Sequence, residues 1–492
     1  MHFEVNPVRY FNYTLICTAF LFNQSVHSQT LSAKIDELIE QKLPLATVGV
    51  LIKDAQTGEV IYSRNANKLL TPASSTKLFT AAAVLYYIKP DFRFLTTLSQ
   101  KDQNYYLNFT GSPSLTADNL SALVANLKKN KVKTIQGNMV IDSTQYPAPF
   151  YLSGDSYDDL GWAYTAPDTA TVLNENAESY VLTSAPTLGM PVQIKPKVSS
   201  KKTVKTPLRA LTIINEVVTV SKEDEKNHCS LHVELKDNNT LRLFGCMVQE
   251  KNPKTLEFAI PDPVLFAKKV VKNALNENGI ALKGAVISGS TPTDAHPIAS
   301  YQSADLLKLV KHMLQKSDNL YANSLTRKLG YLMTGKGTHK EGMFAMKKII
   351  AEHAPLDMSQ MELIDGEGTR YNLIAAEQFV TLLTTLYHDK NMQPILLSSL
   401  PQAGVSGTLQ ARMQKTILNK KVFAKTGTMH DVSSLSGFII NPNAKSFVFS
   451  IITNGVAKAE KAKALEEKIL LTVDEYYLEQ SNASLPTKAI TQ

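Results

Sequence analysis

The sequence predicts an α+β protein: an antiparallel five-stranded sheet flanked by helices, with a large, mainly β insert forming one or two extra lobes. Three observations carry this reading. Short runs that read as strands occur twice near the start, at 47–53 and 60–62, and three times near the end, at 421–425, 434–440 and 446–453. Apolar residues at helical spacing fill 31–43, 78–85 and much of 263–387, beside those strands. Between the two halves, 91–260 changes texture to short strands, turns and loops. A chain of 492 residues is also too long for one ordinary core. The expected division is a discontinuous main domain, 29–90 plus 261–480, with 91–260 inserted and a polar tail at 481–492.

Taken in order, 31–43 reads as an amphipathic helix and 47–53 as a strand, with a turn at Gln56-Thr57-Gly58 and its partner at 60–62. Pro72 suits the first turn of the next helix, where its missing N–H is no loss. In the insert, 92–98, 105–109, 137–142 and 211–220 read as strands and 115–129 as a helix. Helices then follow at 264–276, 304–314, 319–332, 342–352 and 375–387. After the last three strands, which include a turn at Asn441-Pro442-Asn443, a final helix spans 457–478. Two strands from the start and three from the end can share one sheet, which would bring residues near 74 and 425 together.

Composition fits a folded, exported protein. The content is 43% hydrophobic and 20% charged, which excludes a disordered chain. The net charge of +8 can favour contact with anionic polymers or surfaces, but the lysines are scattered and solubility explains them as well; no nucleic-acid partner is expected. Arg9, the apolar run from Tyr13 to Phe22 and the small-residue site Val26-His27-Ser28 read as an export signal over 1–28. Cys17 leaves with it. That run is too short to span a bilayer and no other stretch can, so no transmembrane segment is expected, and peripheral membrane contact is left open. Cys229 and Cys246 flank a hairpin whose turn, centred on Asp237-Asn238, sets them opposite one another. In an oxidising compartment they should form a disulfide. His228 and His232 have zinc-ligand spacing for a helix, but on a strand they stand too far apart, so no metal is expected there.

The chemistry lies in three short patterns. Ser74 and Lys77 sit one turn apart in an otherwise apolar helix, where burial lowers a lysine's pKa and a neutral lysine can deprotonate a serine. Ser317-Asp318-Asn319 opens a helix, and Lys425-Thr426-Gly427-Thr428 ends a strand, where glycine lets another backbone approach. Each alone has an ordinary reading: a chance match, a helix cap, a solvated lysine. Ser199-Ser200-Lys201-Lys202 is such a chance match to the first pattern. Together and in this order, the three form the motif set of penicillin-binding proteins and class A β-lactamases.

On those motifs the chain resembles the class C low-molecular-mass penicillin-binding proteins, the D-alanyl-D-alanine carboxypeptidase/endopeptidases. The resemblance extends to Pro72-Ala73-Ser74, Gly137 to Asp142, Ala166-Pro167, Gly407-Thr408-Leu409 and Asp431 to Gly437. The long insert is itself a mark of the family. The resemblance implies a penicilloyl-serine transferase fold and a periplasmic, cofactor-free serine peptidase acting on peptidoglycan stem peptides. It implies Ser74 as nucleophile, Lys77 as base, Ser317 as proton relay and Asn319 as holder of the substrate amide. Lys425 and Thr428, with Thr426 and Gly427 in the same strand, would bind the terminal carboxylate. The N–H groups of Ser74 and Thr428 would form the oxyanion hole. β-Lactams would be covalent inhibitors. Asp159, Arg370 and Met429 match positions that bind the diaminopimelyl side chain.

One stretch departs from the family. Asp365-Gly366-Glu367-Gly368-Thr369-Arg370 is one residue shorter than the family's segment and has Glu367 where the family has serine. A carboxylate near an acyl-serine could activate the deacylating water and tilt the enzyme toward β-lactam hydrolysis. The ordinary alternative is a solvated loop glutamate. Two other functions compete with a peptidase: a β-lactamase, which is typically more compact, and a non-catalytic cell-wall scaffold, which usually loses a member of the set.

Overall fold

The structure, a computed structural model, describes residues 30–197, 208–225, 229–442 and 444–483. The export signal with Cys17, the second Ser-x-x-Lys pattern, His228 and the polar tail from 484 onward lie outside the described residues. Among the described residues no helix is long and apolar enough to cross a membrane.

The main sheet has the order Val422–Met429, Val432–Ile439, Phe447–Asn454, Thr47–Asp54, Val60–Arg64, antiparallel throughout. The N-terminal hairpin completes the C-terminal meander because Thr47–Asp54 pairs along its whole length with Phe447–Asn454. The two central strands from the meander are buried almost end to end, which explains their near-continuous apolar and small residues. Alternate side chains serve opposite layers. Phe447, Phe449 and Ile451 join Ile35, Ile39, Leu465 and Ile469 from helices Leu31–Lys42 and Ala459–Ala483. Val448 and Ile452 join Phe79, Leu325 and Phe379 from helices Lys77–Tyr87, Asn319–Thr334 and Ala376–His388. The pleat thus binds both helical layers to one sheet. The outer side of the edge strand Val422–Met429 is bridged by Gln402 at Phe423, and from Lys425 onward it faces the turn that carries Ser74.

The insert holds a mixed five-stranded sheet and two three-stranded sheets joined by one hydrophobic cluster. It is less purely β than its sequence texture suggests. Helix Ala117–Lys129 packs on helix Pro263–Glu277, and Phe266, Val270, Val271 and Ala274 of the latter enter the insert's core. Strand His296–Gln302 then pairs with Leu95–Lys101. We therefore propose ending the insert at Gln302 instead of 260. Apolar spacing marks a helix but not the layer it packs against, so the boundary is invisible in the sequence.

The hairpin with the cysteines also differs in detail. Lys236 pairs with Thr240, so the turn is Asp237-Asn238-Asn239, one residue longer than expected. Asn238 and Asn239 both take left-handed conformations (φ 55° each), which asparagine tolerates best among residues with a side chain beyond the Cβ. The register shifts by one, yet Cys229 and Cys246 are joined, with Cα atoms 5.7 Å apart.

Arg327 ties the insert to the main domain. Its side chain is fully buried; Nη1 donates to Asp168 Oδ1 at 2.7 Å and to the Asp168 and Pro149 carbonyls at 3.0 and 3.2 Å. Nε donates to Gly337 O at 2.8 Å, and Nη2 to Pro147 O. One guanidinium thus fixes the chain from 147 to 168 against the helix that starts at Asn319. Removing one partner of a buried ion pair strands the other. Arg327→Met is expected to lower the unfolding free energy by about 3–5 kcal/mol, read from the urea midpoint. A midpoint unchanged from the parent would contradict this anchoring.

Candidate active site

Ser74 lies in a tight turn, Ala73–Thr76, that runs into helix Lys77–Tyr87. Pro72 precedes this turn and does not open the helix as its position suggested; the helix proper begins at Lys77. Ala73 is left-handed (φ 49°), a conformation that costs a non-glycine residue roughly 1–2 kcal/mol. Its surroundings hold it there. Thr76 Oγ1 donates to Ala73 O at 2.9 Å, and Ser434 Oγ to Pro72 O at 2.6 Å. Two glycines close on the same turn. A Cβ on Gly427 would stand 2.4 Å from Pro72 O, and one on Gly368 (φ 103°) would stand 2.0 Å from Ala73 O. The strand from Val422 to Met429 continues through the Lys-Thr-Gly residues and does not end there, which is what lets Gly427 reach the turn.

Lys77 is fully buried, and its Nζ donates to Ser74 Oγ at 2.9 Å, Asn319 Oδ1 at 2.6 Å and Glu367 O at 2.7 Å. Burial lowers its pKa to about 8, while the carboxyls of Glu367, Asp318 and Asp365 oppose the shift. The bonds to Asn319 and Glu367 aim the amine at the serine.

Asp318 caps helix Asn319–Thr334 by accepting from Tyr321 N at 3.0 Å, as the ordinary reading of Ser317-Asp318-Asn319 requires. That cap is also what turns its neighbours inward. Ser317 ends the preceding helix in a left-handed conformation (φ 59°), and Lys425 Nζ donates to its Oγ at 2.8 Å. Lys425 is fully buried as well, and also donates to Thr426 O at 2.6 Å. Burial, and then the nearby Lys77 charge, push its pKa well below the usual lysine range. Two ammonium groups therefore compete in the cleft, and an incoming carboxylate would favour charge on Lys425.

The cleft measures about 450 Å³ and is lined by Ser74, Ser317, Asn319 and Thr428 at its chemical end. Asp159, Arg370 and Met429 line its remainder, so the pocket expected for a substrate side chain adjoins Ser74. Asp159 Oδ1 accepts from Tyr164 OH at 2.8 Å, and Asn319 Nδ2 donates to Tyr164 O at 2.8 Å. Arg370 is exposed where it lines the cleft. Thr426 Oγ1 bonds Thr408 Oγ1 at 2.8 Å, behind the cleft.

Sequence reasoning missed Tyr164, Asn323, Asp155 and the role of Asp365. Asp155 lines the cleft, where burial raises its pKa to about 6. Asp365 is a hub: its Oδ1 accepts the N–H groups of Glu367, Gly368 and Thr369 at 3.1, 2.7 and 3.2 Å. That hub folds the loop inward, and the solvated glutamate expected at 367 is instead buried, at 7% exposure. Glu367 Oε1 accepts from Asn319 Nδ2 at 3.2 Å and Oε2 from Asn323 Nδ2 at 2.7 Å. Burial holds its pKa well above the carboxylate range, with Lys77 opposing. Glu175, His312 and Asp318 form the one grouping with metal-ligating geometry among the described residues. Its members satisfy one another, His312 Nε2 lying 3.2 Å from Asp318 and 3.6 Å from Glu175.

The comparisons with known proteins agree with this geometry. A profile of the D-Ala-D-Ala carboxypeptidase 3 (S13) family matches residues 31–476. The D-alanyl-D-alanine carboxypeptidase DacB of Haemophilus influenzae is 29% identical over 436 residues, 86% of this chain and 88% of that protein. The D-alanyl-D-alanine carboxypeptidase of Actinomadura sp. strain R39 is 29% identical over 465 residues, 90% and 84% of the two chains. Penicillin binding protein 4 (dacB) from H. influenzae has a crystal structure with TM-score 0.79 at 26% identity, covering 90% of this chain and 99% of that one. A second structure of that protein, with TM-score 0.75, holds a β-lactam. The chain belongs to the D-Ala-D-Ala carboxypeptidase 3 (S13) family and is a class C low-molecular-mass penicillin-binding protein.

Proposed function

We infer that the protein is a serine D,D-peptidase acting on peptidoglycan through an acyl-enzyme on Ser74. The observation that carries this is the buried Lys77 amine, 2.9 Å from Ser74 Oγ and fixed by two further acceptors. A neutral lysine there takes the Ser74 proton as Oγ attacks the carbonyl of the penultimate D-alanine. The N–H groups of Ser74 and Thr428 receive the oxyanion. Ser317, already bonded to Lys425 at 2.8 Å, gives its proton to the departing amine and is resupplied from the Lys425 ammonium. Lys425 and Thr428, with Thr426 in the same strand, hold the terminal carboxylate, and Gly427 lets that strand lie against the nucleophile turn. Asn319 orients both Lys77 and the substrate amide. Water then releases the acyl group.

The same site accepts two leaving groups: a terminal D-alanine from a stem peptide, or a diaminopimelyl residue from a cross-link. Arg370 and Asp159 supply a cation and an anion for the zwitterionic end of the latter, with Met429 beside them. β-Lactams, which mimic the terminal dipeptide, acylate the same serine. The export signal read at 1–28 would deliver the enzyme to the periplasm, where these substrates are. The full set, with Lys77 bonded to Ser74 and Asn319 and Lys425 bonded to Ser317, argues against a non-catalytic scaffold.

Release of D-alanine from a stem pentapeptide tests the assignment. Ser74→Ala is expected to abolish turnover and Lys77→Ala to lower kcat/KM by about 10³-fold, both with unchanged circular dichroism. Turnover by Ser74→Ala at the parent's rate would refute the reading. Arg370→Ala is expected to raise KM for a diaminopimelate-type substrate about tenfold, one lost charge-assisted contact of ~1.4 kcal/mol. KM for the lysine-type analogue, which lacks that carboxylate, should be unchanged. Equal effects on both substrates would remove Arg370 from side-chain recognition.

A further inference from the structure

Glu367 is an ionisable group in the lining of the cleft that acylation does not use. It lines the same cleft as Ser74, and the adjoining Gly368 presses on the Ala73–Ser74 backbone. Its carboxyl is held by the amides of Asn319 and Asn323, one turn apart on the same helix. Its backbone oxygen is meanwhile bonded to Lys77. Each carboxyl oxygen keeps a further lone pair. A buried carboxyl is costly, and a glutamine could occupy the same space without that penalty. What a carboxylate adds is basicity, beside a serine whose ester must be attacked by water.

Resting on the reading of Ser74 as nucleophile, we propose that Glu367 is the base that activates the deacylating water, so that this enzyme hydrolyses β-lactams instead of remaining acylated by them. The Glu367 carboxylate takes a proton from water as the water oxygen bonds to the acyl carbon. The carbon–Oγ bond then breaks, and Ser74 Oγ takes a proton from the Lys77 ammonium. The proton left on Glu367 passes to solvent, Lys77 is left neutral for the next turnover, Lys425 regains from solvent the proton it gave up, and the penicilloic acid departs with the water's oxygen. No further reactant is needed. The raised pKa of Glu367 gives the step its signature: deacylation accelerates as pH rises and the carboxyl ionises.

Rapid-quench mass spectrometry of the full chain with benzylpenicillin separates the two half-reactions. Ser74→Ala should take up no adduct; an adduct on it would overturn the nucleophile assignment, independently of Glu367. Glu367→Gln should acylate within about threefold of the parent but deacylate about 10²-fold or more slowly, without the parent's alkaline rise. Glu367→Asp, which keeps a carboxylate, should recover part of that rate together with the pH dependence. Deacylation by Glu367→Gln at the parent's rate would overturn the proposal. So would an equal fall in acylation and deacylation in both variants, which marks a structural role. A parent adduct that persists as long as that of Glu367→Gln would overturn it too.

Discussion

The active site depends on a lysine amine kept away from water. Lys77 carries no surface exposure, and the three oxygens around its Nζ lie at 2.6–2.9 Å. Those oxygens come from three separated stretches: the nucleophile turn, the Ser317–Asn319 junction and the Asp365–Arg370 loop. With its pKa near 8, about one Lys77 in ten is neutral at pH 7; an ordinary lysine offers roughly one in several thousand. The chemistry is therefore a consequence of desolvation, and desolvation is a consequence of the fold. Lys425, also buried, makes the arrangement responsive to substrate. A carboxylate that favours its ammonium form favours the neutral form of Lys77.

Holding these stretches together requires close backbone approach and buried polar anchors. Gly427 and Gly368 both close on the turn of the left-handed Ala73, where any side chain would collide with backbone. Asp365 folds its own loop by gathering three N–H groups, so a six-residue segment can carry Glu367 inward. Arg327 does the equivalent at larger scale. It pins the chain leading to Asp159 and Tyr164 onto the helix that Asn319 begins.

Much of this was legible in the sequence wherever the signal was local. Ser74 and Lys77 are one turn apart, Asp318 is a recognisable cap, and the five strand runs are clear enough to predict one sheet. Cys229 and Cys246 were paired from hairpin symmetry, although the turn holds one residue more than expected, because two asparagines accept left-handed backbone. What was not legible depends on distant contacts. The helix Pro263–Glu277 has the spacing of any amphipathic helix, and only the packing shows that it serves the insert. The position of Glu367 follows from Asp365 and two asparagines 44 and 48 residues away in sequence. Composition alone makes a loop glutamate solvated. Tyr164 contributes mainly through a carbonyl, which no side-chain pattern can reveal.

The central claim, that a desolvated Lys77 is the base, is tested most directly by the pH dependence of the acylation rate constant with a penicillin. Because the neutral amine acts, the rate should rise with pH and level off above about 8, the value to which burial lowers Lys77. Lys77→Ala should be slow and lack that limb. A parent profile that keeps rising until the ordinary lysine range near pH 10, or one that is flat from pH 6 to 10, would contradict the account.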